Sequence, residues 1–258
     1  MNVPSNPTVS EYFTLSLLDA NGNSLGRYQT GKDRTASFGI SAVGTYSLKM
    51  SYASSGLSPF HDSGEYTLTA SLAAGQANGF ESESNHSIAS ADDITLGAAI
   101  KAQLSTRDDQ DYFKLTATSS GILSVAMDVP TDSSLYEYFT LGLFDAAGNN
   151  LGQYQTGKDR TVNFGVATSG TYYLKMSDVS SRFSTYHDSG EYSLTASIAA
   201  GSAQGFESES NNSIASADDI TLDTAIKAQL ATKDDQDYFR LAATAAGILS
   251  VVMDVPTN

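Results

Sequence analysis

The stretch EYFTLGLFDAAGNNLGQYQT (137–156) alternates and then turns. In its first half Phe139, Leu141 and Leu143 fall on one side, and Tyr138, Thr140 and Gly142 on the other. That two-residue period marks a strand with one buried face. DAAGNNLG is rich in Gly and Asn and runs into QYQT, so the composition predicts a β-hairpin. The same pattern spreads outward into DYFKLTAT (111–118), GILSVAMDV (121–129), GTYYLKM (170–176) and GEYSLTASI (190–198). Ser, Thr and Gly are abundant, and no long stretch spaces its apolar residues helically. Roughly eight or nine short strands in about 120 residues, with turn signals between them, predict an all-β, antiparallel β-sandwich.

The hairpin stretch has a copy at EYFTLSLLDANGNSLGRYQT (11–30), and the whole chain aligns with itself at an offset of 126 residues without a gap. Met1 falls on Met127 and Met253, Asp19 on Asp145, His61 on His187 and Glu81 on Glu207; 92 of the 132 overlapping positions are identical. Such a domain-sized period marks a tandem repeat. Two small, Gly-bearing linkers, AAGQANG (73–79) and AAGSAQG (199–205), set the boundaries. The expected organisation is the back part of one unit over 1–72, a complete unit over 80–200 and the front part of another over 206–258. The back part should supply about five strands and the front part about four. Met1 stands at a repeat position and need not be a start.

The composition narrows the function classes. There is no Cys, so disulfides, thiol chemistry and Cys-based metal sites are excluded. No apolar run is long enough to span a membrane. No basic stretch followed by an apolar core opens the chain, so a secretion signal is either removed or lies in a longer protein. Net charge is −15, from 29 acids against 14 bases, and such a surface repels nucleic acid and anionic lipid.

Some of those acids are grouped. FESESNHSIASADDI (80–94) recurs as FESESNNSIASADDI (206–220). In extended chain Glu81, Glu83 and Asn85 share a face, with Ser82 and Ser84 opposite. Downstream, RDDQDYF (107–113) and KDDQDYF (233–239) put three Asp at the mouth of a strand. Hard oxygen ligands of this kind suit Ca²⁺. The alternative for the same residues is a solvated acidic linker, with the Asp side chains capping strand ends.

The order E-x-E-x-N, an apolar strand, D-D-x-D-Y-F, a GxLxV strand, LFDAAGN, GTYYLKM and GEYSLTA resembles the bacterial pre-peptidase C-terminal domain. That family includes the collagen-binding modules of clostridial collagenases. The resemblance covers essentially the whole chain. It implies a jelly-roll-like β-sandwich in secreted bacterial proteins, without catalytic activity of its own. In calcium-binding members the E-x-E-x-N segment and the D-x-x-D of the next strand share the metal. Carried over, the ligands are Glu81, Glu83, Asn85, Asp108 and Asp111, and in the second copy Glu207, Glu209, Asn211, Asp234 and Asp237. The residue after the Asn, often Asp in such members, is His86 in one copy and Asn212 in the other. That departure counts against a second ion per site.

Three further signals are set aside. HDSGEY (61–66 and 187–192) holds His, Asp and Ser, but neighbours along one turn do not converge on one atom as a triad does. DANGN (19–23) opens like an EF-hand loop but lacks the closing Glu, so it reads as a hairpin turn. NHS and NNS match the glycosylation sequon inside the acidic motif, where metal binding is the preferred reading.

A sandwich divided between two half-units leaves apolar faces and unpaired edges. The halves then complete each other within a longer array, between copies head to tail, or within one molecule. The expected function is a non-catalytic extracellular or cell-surface structural repeat, of an adhesin, stalk or filament, stiffened by calcium at the junctions. The alternative is a polymer-binding module, for polysaccharide or collagen, attached to a secreted enzyme.

Overall fold

The computed structural model of the chain describes residues 13–30, 33–52, 66–74, 79–106, 108–129, 139–179, 190–201, 205–209, 211–231 and 234–255. Strands β1 (Phe13–Leu18), β2 (Ser24–Thr30) and β3 (Ser47–Tyr52) come first. A complete sandwich follows, made of β4 (Asp92–Asp93), β5 (Ala99–Gln103), β6 (Gln110–Ala117), β7 (Gly121–Asp128), β8 (Phe139–Asp145), β9 (Asn150–Thr156), β10 (Arg160–Val166), β11 (Gly170–Asp178) and β12 (Glu191–Ala200). The last strands are the short β13 (Asp218–Asp219) and β14 (Phe239–Arg240).

In the sandwich one sheet runs β10-β7-β12-β5 and the other β4-β6-β11-β8-β9. All its pairings are antiparallel except β4 with β6. From β4 to β12 the chain changes sheet at every step except β8 to β9, as in a jelly roll. Period-2 patterning builds the core. Phe113, Leu115 and Ala117 of β6 face Leu123, Val125 and Met127 of β7, with Leu141 and Leu143 of β8 and Leu174 and Met176 of β11, all buried. Full burial of each large apolar side chain contributes about 2–3 kcal/mol. The same parity carries Asp111, one pleat before Phe113, inward to zero exposure.

The turns behave as read. Asp145 accepts from Ala147 N at 2.9 Å, Asn149 N at 2.8 Å and Asn149 Nδ2 at 2.8 Å. Asp19 holds Asn21 and Asn23 in the same way, so DANGN is a hairpin turn. The bonds from Asn23 and Asn21 depress the Asp19 carboxyl below its usual range; at Asp145 burial pushes the carboxyl up, but the hydrogen bonds together outweigh it and lower it. Residues 61–65 and 187–189 of HDSGEY lie outside the described residues.

The flanking parts carry fewer strands than their alternation predicts. Among the described residues three form in the first and two in the last. The order β2-β1-β3 repeats β9-β8-β11, and the parallel pair β13–β14 repeats β4 with β6. The copies of β10 and β12, at 34–40 and 66–74, form no strand, nor do the copies of β5 and β7, at 225–229 and 247–254. In the complete sandwich β10 and β12 pair with β7 and β5. In the complete sandwich the ladder partners of these strands are carried by the other part of the repeat. Leu249, Val251 and Met253 are 58%, 79% and 83% exposed, while their copies Leu123, Val125 and Met127 are buried.

Candidate metal centre

The acidic segment is laid along the sheet by its backbone. Phe80 bridges Lys101, with Glu81 N on Lys101 O at 2.9 Å and Lys101 N on Gly79 O at 2.8 Å. Tyr112 N donates to Asn85 O at 3.0 Å and ties the other end to β6. Between these ties Glu81, Glu83 and Asn85 turn inward. Asn85 has no exposure, Glu81 is buried, and the Glu83 side chain is 3% exposed. Ser82 turns toward Asp92 and donates to it from N (2.7 Å) and Oγ (2.5 Å).

Asp111 enters the cluster from β6, but Asp108 does not. Asp108 is exposed, and its neighbour Asp109 is the buried carboxylate. Asp109 shares the parity of Asp111, whereas Asp108 falls on the opposite face. Oxygens of Glu83, Asp109 and Asp111 and a ring nitrogen of His86 all lie within 4.8 Å of one another. Asp109 is saturated by donors. Ser105 N (2.6 Å) and Ser105 Oγ (2.8 Å) donate to Oδ2 and Gln110 N (2.9 Å) to Oδ1, and His86 Nδ1 lies 3.0 Å from Oδ1.

The other oxygens are starved of donors. Glu83 Oε1 and Oε2, Asn85 Oδ1 and Asp111 Oδ1 are buried without a hydrogen-bond partner. The Asn85 amide nitrogen is spent on Glu81 Oε2 (3.3 Å) and Asp92 Oδ2 (3.4 Å), so its oxygen faces the cluster. Glu81 Oε1 accepts from Gln103 N, and Asp111 Oδ2 from the Tyr192 hydroxyl. Burial first, then the charges of Asp111 and Glu83, holds the Glu81 carboxyl well above its usual range. Burial, then Asp109, does the same to Asp111. Burial, then Asp109 and Asp92, pushes Glu83 up to about 8. Two carboxylate charges within 4.8 Å of each other repel by about 3.5 kcal/mol or more at an effective dielectric of about 20.

The second copy repeats the arrangement in a more open setting. Oxygens of Glu207, Glu209 and Asp237 lie within 4.8 Å of one another. Glu209 Oε1, Asn211 Oδ1 and Asp237 Oδ1 are buried without partners. Burial is the first cause of the raised carboxyls: Glu207 to about 8, Glu209 to about 7, and Asp237 upward. Asp234 is exposed, and Asp235 is the acceptor for Ala231 N (2.7 Å) and Gln236 N (3.0 Å). Oriented as a donor, the Asn212 amide lies 2.9 Å from Asp235 Oδ1. Thus His86 and Asn212 both set a nitrogen beside the carboxylate at the Asp109/Asp235 position.

The donor set fits a hard cation. A glutamate, an amide oxygen and an aspartate, orphaned in both copies, offer oxygens that only a cation or ordered water would satisfy. Residues that would hold Ca²⁺ are Glu83, Asn85 and Asp111, with Glu81 behind them, and Glu209, Asn211 and Asp237, with Glu207 behind. The sequence missed Asp92 and Asp109 as members of the cluster. Strand parity alone would have chosen Asp109 over Asp108.

Comparison with known proteins gives relatives of one kind first. Over 168 residues, 62% of this chain, the sequence is 28% identical to Collagenase ColT of Clostridium tetani (strain Massachusetts / E88). The match spans only 16% of that collagenase. Among solved structures, the pre-peptidase C-terminal domain of a collagenase from Bacillus anthracis is 22% identical, with a TM-score of 0.31, over 41% of this chain and 93% of that one. The Aeromonas hydrophila periplasmic inhibitor of g-type lysozyme, PliG, is 14% identical, also at 0.31, over 42% of this chain and 96% of its own. No family model matches. The chain is therefore similar to a clostridial collagenase and to a collagenase pre-peptidase C-terminal domain, at low identity. No helix among the described residues is long and apolar enough to cross a membrane.

Proposed function

We propose that the chain is part of a non-catalytic, extracellular array of calcium-binding β-sandwich repeats whose half-units are completed by neighbouring half-units. The observation that carries this reading is the bared copy of β7. Leu249, Val251, Met253 and Val255 are all exposed, whereas their copies Leu123, Val125, Met127 and Val129 are buried. In the complete unit the equivalent strand is flanked by β10 and β12, and its apolar face packs with Leu141 and Leu143 of β8 and Leu174 and Met176 of β11. A back half from a neighbouring unit supplies those strands, so head-to-tail completion buries the face. Calcium in the two orphaned clusters neutralises the acids beside each junction and stiffens the string. Sedimentation velocity and negative-stain imaging of the 258-residue chain, in calcium and then in chelator, test it. Regular threads or end-to-end oligomers are expected in calcium. A monomer of 27.2 kDa in both conditions, with Leu249 protected from solvent, would mean that the halves close within one molecule.

A second reading, a polymer-binding module, is favoured by the similarity to a collagenase and by one cavity. Tyr28, Phe38, Phe80 and Tyr192, with Lys101 and Glu191, line a cavity of about 330 Å³ between the first part and the complete unit. Aromatic faces with a few polar groups suit sugar or peptide chains. Cosedimentation with insoluble collagen and with polysaccharide tests this reading; retention lost on Phe38→Ala supports it.

A further inference from the structure

Two sets of contacts, 126 residues apart, join consecutive units in the same way. At the first junction Gln103, at the end of β5, reaches back to edge strand β2. Its Oε1 accepts from Arg27 N at 2.8 Å and its Nε2 donates to Arg27 O. At the second junction Gln229 does the same to edge strand β9: Oε1 accepts from Gln153 N at 3.0 Å and Nε2 donates to Gln153 O at 2.6 Å. One side-chain amide thus takes both backbone groups of one residue, as a pairing strand would. The edge of each sheet, a place where unpaired backbone invites foreign strands, is capped by the following unit.

Close backbone approach accompanies the cap. A Cβ on Gly165 would stand 2.5 Å from Glu207 O and 3.1 Å from Phe206 Cβ. A Cβ on Gly39 would meet the matching atoms of the first junction, Glu81 O and Phe80 Cβ, the latter at 2.8 Å. Both neighbours are backbone or the root of a side chain, so neither yields easily. Arg34 also pairs with Glu191 across the first junction.

We infer that these contacts form a lock that fixes each unit against the next in one orientation, and that its partner is always a second copy of the same repeat. The surface is heterologous: the β9–β10 side of one unit meets the start and β5 of the following one. Repeated without change, such an interface propagates as an open array. The lock deepens the array reading and rests on it for the partner, but it does not depend on calcium. It does abut the metal cluster, because Glu81 Oε1 accepts from Gln103 N while Gln103 holds Arg27.

Because the chain has no cysteine, spin labels at Asn21→Cys and Ala147→Cys report one distance between equivalent exposed turns of adjacent units. The measurement is pulsed dipolar spectroscopy on the full chain, in calcium and in chelator, beside Gln103→Ala and Gly39→Val. A single narrow distance in both conditions, with its width at least doubled by each substitution, is expected. A broad distribution in the parent, or one that neither substitution moves, overturns the lock. A distribution narrow only in calcium assigns the fixing to the cation and also overturns it. Circular dichroism of Gln103→Ala checks that the fold survives. Failure of the calcium reading would show separately, as absence of calcium-binding heat with the narrow distance intact.

Discussion

Glu83 and Asp111 bring carboxylate oxygens to within 4.8 Å of each other, and Glu83 Oε1, Glu83 Oε2 and Asp111 Oδ1 are buried with no donor on any of them. Folding alone gains nothing from that arrangement. It buries charge, sets like charges together and leaves their lone pairs unmet. A cation with several oxygen ligands reverses each of those costs.

Replacing Asp111 by Asn therefore has opposite effects in the two states. Without calcium the substitution removes a buried charge at constant shape, and the melting temperature is expected to rise or hold. With calcium at about 100 times its dissociation constant, the parent gains about 2.7 kcal/mol per site. Asp111→Asn should lose that gain for its own site and keep it for the site at Glu209 and Asp237. Scanning calorimetry with and without calcium checks this; an equal calcium-induced shift in parent and variant would contradict it.

The pH dependence has a definite sign. Glu83 and Glu207 are raised to about 8 and Glu209 to about 7, from an ordinary value of 4.5. The calcium-free folded state therefore binds more protons than the unfolded chain between about pH 4.5 and 8, so its stability falls as pH rises through that window. Calcium must displace the same protons. Its affinity should weaken as pH drops from 8 to 6, with proton release measurable as a buffer-dependent heat of binding.

Leu123 and Leu249 are copies of one position in two settings, fully buried and 58% exposed. Leu123→Ala should destabilise the complete unit by about 3 kcal/mol. Leu249→Ala should change monomer stability by less than about 0.5 kcal/mol, yet weaken end-to-end association, where that face is covered. Denaturant melts and sedimentation equilibrium on the two variants give both numbers. Equal destabilisation by the two substitutions would mean that the 247–254 strand is already covered in the monomer.

Asp145 holds its hairpin through three hydrogen bonds from Ala147 and Asn149. Asp145→Ala should cost about 1–2 kcal/mol without altering calcium binding, since the turn lies outside both clusters. A change in calcium affinity in this variant would tie the turn to the metal centre.

Much of the fold is legible in alternation. The spacing of Phe139, Leu141 and Leu143 puts them on one face of a strand, and all three are buried. Alternation also marks GILSVVMDV (247–255) as a strand, yet no ladder forms there. A strand is a property of its partners as well as of its own pattern, and those partners sit in the other half of a unit. At the site, Glu81, Glu83 and Asn85 were legible because one extended segment carries them. Parity with Asp111 places Asp109, not Asp108, on the buried face. Asp92 was missed because it joins the cluster through tertiary pairing, by way of Ser82 and Asn85. The clamp of Gln103 on Arg27 spans 76 residues and uses an amide of ordinary appearance, so nothing local announces it.

Calcium titration calorimetry of the chelator-stripped 258-residue chain at pH 8 tests the metal centre most directly. Two ions per chain are expected, falling to one in Glu83→Gln and to none when Glu209→Gln is added. A flat titration of the parent, with no shift of its melting temperature by millimolar calcium, would contradict the assignment of both clusters.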